Sequence, residues 1–203
     1  MKALLVDYGG VLTTNVFDSF RAFCVDEGLD RDMIKRVFRD DPGALAAVRA
    51  LEKGELSEDE FGERFGKLLE LEPSRRPGLV ERMFEHIQPD EAMHAALRRA
   101  RAQGIRTGLV SNSMGAGRYD RSTFPELFDG VVISGDVGMH KPQPEIFVLG
   151  AERAGAAPEE CVFVDDLREN CAGAEAVGMT AVLHRGSEGT LGQLEELFRV
   201  ELR

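Results

Sequence analysis

The sequence predicts an α/β fold: a parallel sheet with helices on both faces, interrupted once, after its first strand, by a long helical segment. Three observations predict it. The chain opens on a short apolar run that halts at an aspartate and two glycines. From residue 89 onward, strand-like and helix-like segments alternate with short connections. Between the two, residues 15–88 read as helical throughout, with no strand-like run.

Taken in order, Ala3-Leu4-Leu5-Val6 is a buried strand that stops abruptly at Asp7-Tyr8-Gly9-Gly10. Val16, Phe17, Phe20, Phe23 and Cys24 recur with helical spacing, and Met33, Ile34, Val37 and Phe38 repeat the stripe after Gly28-Leu29-Asp30. Ser57-Glu58-Asp59-Glu60 is a capping box opening a further helix through Phe61, Phe65, Leu68 and Leu69. These phenylalanines are expected to form the core of a small helical bundle. Beyond Pro89, a helix from Glu91 to Gln103 stops at Gly104, and a strand from Ile105 to Val110 ends in Ser111-Asn112. Gly130 to Ile133 is another short strand, and Pro144 to Ala154 a helix. The strand Cys161 to Val164 ends in Asp165-Asp166 and leads into a helix from Asn170 to Val177, stopped by Gly178. Thr180 to Leu183 is the last strand and Leu191 to Val200 the last helix. Only this C-terminal half supplies neighbours for the first strand. Residues 1–14 and 89–203 are therefore expected to form a three-layer, Rossmann-like core, with residues 15–88 as an inserted α-helical domain.

Composition narrows the function. With 203 residues, 43% of them hydrophobic and 30% charged, the chain has the makings of a well-filled core rather than a disordered segment. A net charge of −11 argues against nucleic acid and anionic membrane as partners, and requires any anionic substrate to be held by a local cluster of cations. Cys24, Cys161 and Cys171 lack metal-type spacing and are expected to fill core positions. No apolar stretch approaches the roughly 18–20 residues that span a bilayer, and the expected location is cytoplasmic.

Three strands end in polar residues: Asp7, Ser111-Asn112 and Asp165-Asp166. Parallel strands point the same way, so these ends share one edge of the sheet, where open α/β folds bind ligands. Lys141, in Gly138-Met139-His140-Lys141-Pro142-Gln143-Pro144, is held before a helix by two prolines. Carboxylates brought together repel, and a divalent hard cation such as Mg²⁺ relieves that repulsion. Lys141, the Ser111 hydroxyl and the backbone N–H groups that follow it then offer a place for a dianion. Such a set suits phosphoryl transfer. His140 sits beside Lys141, but adjacent loop residues usually point apart.

In these motifs the chain resembles the haloacid dehalogenase superfamily, in the branch with a helical cap inserted after the first strand. The resemblance rests on Asp7 with Gly10-Val11, on Ser111-Asn112, on Lys141-Pro142, and on Asp165-Asp166 followed by Asn170, Gly173 and Gly178. It implies a phosphatase acting on a small phosphorylated metabolite, as a monomer or homodimer. Asp7 would be the nucleophile that forms an aspartyl-phosphate. Ser111 would bind the phosphoryl group, Asn112 would shape its loop, and Lys141 would neutralise nucleophile and phosphate. Mg²⁺ would be held by Asp7, the Gly9 carbonyl, Asp166, and Asp165 directly or through water. Glu52-Lys53-Gly54-Glu55 resembles a turn that recurs in such caps. The alternatives are a metal-independent 2-haloacid dehalogenase, which the acidic pair disfavours, and a low-turnover phospho-ligand-binding protein.

The chain departs from the family pattern at Gly9, where most such phosphatases carry an aspartate that protonates the leaving oxygen. General acid–base help of this kind is worth about 10²–10⁴ in rate. Good leaving groups are therefore expected to turn over better than alkyl phosphates. Gly9→Asp should flatten the dependence of rate on leaving-group pKa, and an unchanged slope would mean that the acid comes from elsewhere in the chain.

Overall fold

The computed structural model describes residues 1–203 apart from Met114, Ala116, Gly117 and Arg118. Five strands form one parallel sheet: β1 (Ala3–Val6), β2 (Arg106–Ser111), β3 (Gly130–Ile133), β4 (Cys161–Asp165) and β5 (Thr180–Leu183), in the order β3-β2-β1-β4-β5. β1 lies at the centre and is buried from end to end, which is why its four residues are apolar without alternation. The side chains still divide by period two. Leu4 and Val6 join one core with α6 (Glu91–Ala102) and α11 (Ser187–Phe198), whereas Ala3 and Leu5 join another with α9 (Pro144–Ala154) and α10 (Arg168–Ala176). The result is three layers, helices on each face of the sheet.

A third core belongs to the helices between β1 and α6. These are α1 (Val16–Asp26), α2 (Met33–Asp40), α3 (Pro42–Glu52), α4 (Glu58–Leu68) and α5 (Leu79–Met83). Phe20, Phe23, Ile34, Val37, Phe61, Phe65 and Met83 pack together there, with the Phe61 and Phe65 rings stacked 5.0 Å apart. Burial of each such ring contributes roughly 1.5–3 kcal/mol, so these helices have an apolar core distinct from the two that flank the sheet. The chain enters and leaves the bundle side by side. Thr14 N donates to Gln88 O at 2.8 Å, Asp90 N donates to Leu12 O at 2.8 Å, and Thr13 bridges Pro89.

The capping box at Ser57 and Glu60 forms as expected. The three cysteines are free and buried, and no helix among the described residues is long and apolar enough to cross a membrane. Differences from the sequence reading fall at helix ends and in four helices it did not single out, α3 and α5 of the bundle and two short ones beside β3. α10 begins at Arg168 and α11 at Ser187, earlier than their first periodic apolar residues, because a first turn that faces solvent needs none. α11 stops at Arg199, which adopts φ 59°. The reading did not single out α3. Its local signal is Asp41, whose carboxylate accepts from Gly43 N, followed by Pro42 in the first turn. Its alanine-rich sequence makes a weak stripe. The short helices α7 (Phe124–Leu127) and α8 (Ser134–Val137), flanking β3, were likewise unannounced by periodicity.

Helix α9 approaches the sheet closely at Gly130, where a Cβ would lie 2.4 Å from the Arg153 carbonyl carbon and 2.6 Å from Ala154 N. Backbone cannot yield as a flexible side chain can. Gly130→Ala is expected to destabilise the protein by about 1–3 kcal/mol or more, whereas Gly192→Ala, inside α11 with no atom within 4 Å of the added methyl, should stabilise it by about 0.5–1 kcal/mol. Urea unfolding of the two variants beside the parent protein checks both signs.

Candidate active site

The sheet's register builds the site. Val6 pairs with Leu109 on one side and Val164 on the other, so the next residues along the edge are Asp7, Val110 and Asp165. Ser111 ends β2 one step further on. Lys141 enters from the connection between α8 and α9. Its Nζ lies 2.8 Å from Asp7 Oδ1 and 2.6 Å from Asp165 Oδ2, and the Lys141 and Asp165 side chains are wholly inaccessible to water. An ammonium in that position survives only with compensating charge. Burial alone would depress the Lys141 pKa, but Asp165 and Asp7 overcome it and hold the group above its ordinary range.

Asp165 is the anchor of the set. Oδ1 accepts from Leu167 N at 2.8 Å and Asn170 Nδ2 at 3.0 Å, while Oδ2 accepts from Lys141 Nζ and, at 3.1 Å, from Asn170 Nδ2. Asp7 is held by fewer bonds: Oδ1 accepts from Tyr8 N at 2.7 Å and pairs with Lys141. Burial raises the Asp7 carboxyl to about 7, against the pull of Lys141 and with Asp165 and Asp166 adding to the rise. Burial, then Asp165, lifts Asp166 to about 6. The Asp166 carboxylate lies against Gly10: a Cβ on that glycine, at φ 75°, would fall 2.5 Å from Asp166 Oδ2. Glycine at position 10 thus serves both the backbone turn and the space for the carboxylate.

One oxygen from each of Asp7, Asp165 and Asp166 can be chosen so that all lie within 4.8 Å of one another. Three hard oxygen donors with no nitrogen or sulfur among them suit Mg²⁺ in kind. The Asp165 oxygens already accept from Lys141, Asn170 and Leu167, so Asp7 and Asp166 are the less committed donors of the three and Asp165 orients the lysine as well. Gly9 occupies the same turn in a backbone conformation open to any L residue, and among the described residues a Cβ there would meet only the Val16 Cγ2 methyl, at 3.1 Å.

The remaining motif residues are positioned by loops. Asn112 clasps the lysine's backbone: Oδ1 accepts from Lys141 N at 2.8 Å and Nδ2 donates to Lys141 O at 3.1 Å. Ser111 Oγ lies 3.0 Å from Tyr119 OH, and the Tyr119 ring packs edge-on against Tyr8, 4.9 Å away. Of the backbone N–H groups after Ser111, that of Ser113 is taken by Ser134 Oγ at 2.8 Å, and those of Met114 and residues 116–118 lie outside the described residues. His140 turns Nδ1 to the Lys141 carbonyl at 2.8 Å.

Two site residues escaped the sequence reading. Tyr119 itself lies outside any helix or strand and carries no periodic signal. Glu52, the last residue of α3, reaches across from the helical bundle and places Oε2 3.4 Å from Asn112 Nδ2. The turn Glu52-Lys53-Gly54-Glu55 marked the place, but only the fold shows that it meets the sheet edge.

A family model described as haloacid dehalogenase-like hydrolase matches residues 1–178. The chain is 33% identical over 108 residues to a glyceraldehyde 3-phosphate phosphatase of Methanopyrus kandleri, covering 51% of this chain and 46% of that protein. It is 27% identical over 205 residues to mouse acyl-CoA dehydrogenase family member 10, covering 97% of this chain and 19% of the relative. The chain thus spans about half or less of the length of these two relatives. Among solved structures, a HAD family enzyme from Bacteroides thetaiotaomicron, in complex with magnesium and inorganic phosphate, superposes with a TM-score of 0.64 at 24% identity, covering 91% of this chain and 94% of that one.

The raised carboxyls carry a stability consequence whose sign follows from proton binding. Between about pH 4, where an unfolded aspartate ionises, and about 7, the folded protein retains protons on Asp7 and Asp166 that the unfolded chain has released. Stability must then fall as pH rises through that window. Without metal, the protein is expected to melt at a higher temperature at about pH 5 than at about pH 8, and Asp166→Asn should shrink the difference. Thermal melts in EDTA provide the measurement, and identical pH dependence in parent and variant would contradict it.

Proposed function

Because the chain belongs to the haloacid dehalogenase-like hydrolase family, we propose that it is a Mg²⁺-dependent phosphomonoester hydrolase acting on a small phosphorylated metabolite through a covalent intermediate on Asp7. The observation that carries this reading is the buried Lys141 ammonium shared between Asp7 and Asp165, with Asp166 beside them. A dehalogenase without a metal would leave the single Lys141 ammonium to offset the clustered Asp7, Asp165 and Asp166 carboxylates. Phosphatase-named relatives and a fold neighbour carrying magnesium and phosphate support the same choice.

In this reading the phosphoryl group lies between Asp7, Ser111 and Lys141. Lys141 opposes the burial that raises Asp7, so favouring its ionised form, and balances charge on the phosphoryl oxygens, and the Ser111 hydroxyl donates to one of them. An Asp7 carboxylate oxygen attacks phosphorus as the ester oxygen departs. Water then attacks the same phosphorus, the Asp7–phosphorus bond breaks, and inorganic phosphate leaves. Asp7, Asp166 and the Gly9 carbonyl, with Asp165 directly or through water, would hold Mg²⁺, whose charge stabilises the dianion. Asn112 and Asp165 keep Lys141 in place through its backbone and its ammonium. Residues 1–14 and 89–203 are the catalytic core, and residues 15–88 a cap that covers the edge and selects the substrate.

Phosphate release measured over a panel of phosphorylated metabolites tests the proposal. Activity is expected with Mg²⁺, to vanish on chelation, and to fall by at least about 10³ in Asp7→Asn. Turnover that survives either change would remove the mechanism.

A further inference from the structure

The proposed chemistry lacks a group to protonate the leaving oxygen, since position 9 is glycine. Among the described residues, three side chains near Asp7 are already engaged. Lys141 is committed to two carboxylates. Tyr119 is bound to Ser111, and burial holds its hydroxyl above the ordinary tyrosine range. His140 faces the Lys141 carbonyl.

Resting on the phosphatase reading, we infer that Glu52, delivered by the helical insertion, is the proton donor and acceptor that replaces the carboxylate missing at position 9. Its placement is built, not incidental. The Glu52 carbonyl accepts from Ser134 Oγ, and the same hydroxyl accepts from Ser113 N, so one side chain ties the end of α3 to the loop that follows Ser111. Gly54 passes the Gly135 backbone closely, with its Cβ position 3.6 Å from the Gly135 carbonyl oxygen, and α3 packs on α8. These contacts aim the Glu52 carboxyl at Asn112, the residue that clasps Lys141.

The electrostatics favour a proton on it. Burial lifts the Glu52 carboxyl to about 7; Asp7 adds to the rise, while Lys141, Arg49 and the Asn112 amide oppose it. An ionised carboxylate would repel an incoming phosphate dianion, whereas a protonated one is a donor poised near neutral pH. As an Asp7 oxygen bonds to phosphorus and the ester P–O bond breaks, the Glu52 proton passes to the departing oxygen. The resulting carboxylate takes a proton from the water that next attacks phosphorus, and Glu52 is protonated again when phosphate and the free Asp7 carboxylate form.

Glu52→Gln tests this, because the amide keeps an oxygen for Asn112 and a similar shape but holds no transferable proton. Phosphate release with Mg²⁺ is measured for esters ranging from dinitrophenyl to simple alkyl phosphates. The variant is expected to lose about 10²–10³-fold in kcat/KM on alkyl phosphates and less than about threefold on dinitrophenyl phosphate. Position 9 taken alone predicts that Gly9→Asp flattens the leaving-group slope; with Glu52 already supplying the acid, the substitution should instead leave the slope of the parent unchanged, yet restore much of the alkyl phosphate activity in the Glu52→Gln background. An equal loss across the series, as from a merely structural tie between helix and loop, overturns the inference while leaving the phosphatase reading intact, and so does no loss at all. A parent protein that releases phosphate from none of the esters overturns that reading, and this inference with it.

Discussion

The ammonium of Lys141, shut away from water between Asp7 and Asp165, is the constraint on which the site depends. Removing any member would strand charge in the interior, where an uncompensated ion is destabilising by several kcal/mol. The surroundings are arranged accordingly. Asn170 and the Leu167 amide hold Asp165, Asn112 holds the lysine's backbone, and the Tyr8 amide steadies Asp7. The sheet register then brings β1 and β4 to the height at which both carboxylates meet one nitrogen. A buried charge network of this kind specifies geometry more than it adds stability.

The network also explains an asymmetry among the acidic groups. Asp165 is saturated with donors and serves to orient the lysine. Asp7 and Asp166, less fully bonded, are the carboxyls that burial pushes up. Their discomfort without a cation is a property of the folded chain, and it marks where binding energy would be recovered.

Much of this was legible in the sequence for a geometric reason. Parallel strands align their carboxyl ends, so strand-terminal Asp7, Ser111 and Asp165 had to share an edge once the strands were recognised. Lys141 was legible through the prolines that fix its loop. Tyr119 and Glu52 were not. Their importance comes from contacts between segments far apart in the chain: Glu52 meets Asn112 because the end of α3 docks on α8. The weak apolar stripe of α3 hid the helix, and with it the direction in which its last residue points. Helix starts were missed for a related reason, since solvent-facing first turns carry no periodic apolar residue.

The paired crossing at Thr13–Thr14 and Gln88–Pro89 has an evolutionary consequence. Because the two ends of the helical bundle meet at hydrogen-bonding distance, its length and sequence can change without altering the spacing between β1 and β2. The sheet and its charged edge could be inherited unchanged while the bundle is lengthened, shortened or exchanged. A residue such as Glu52, carried on the exchangeable part, would then let an acid lost from one region of the chain be regained from another, without any strand being rebuilt.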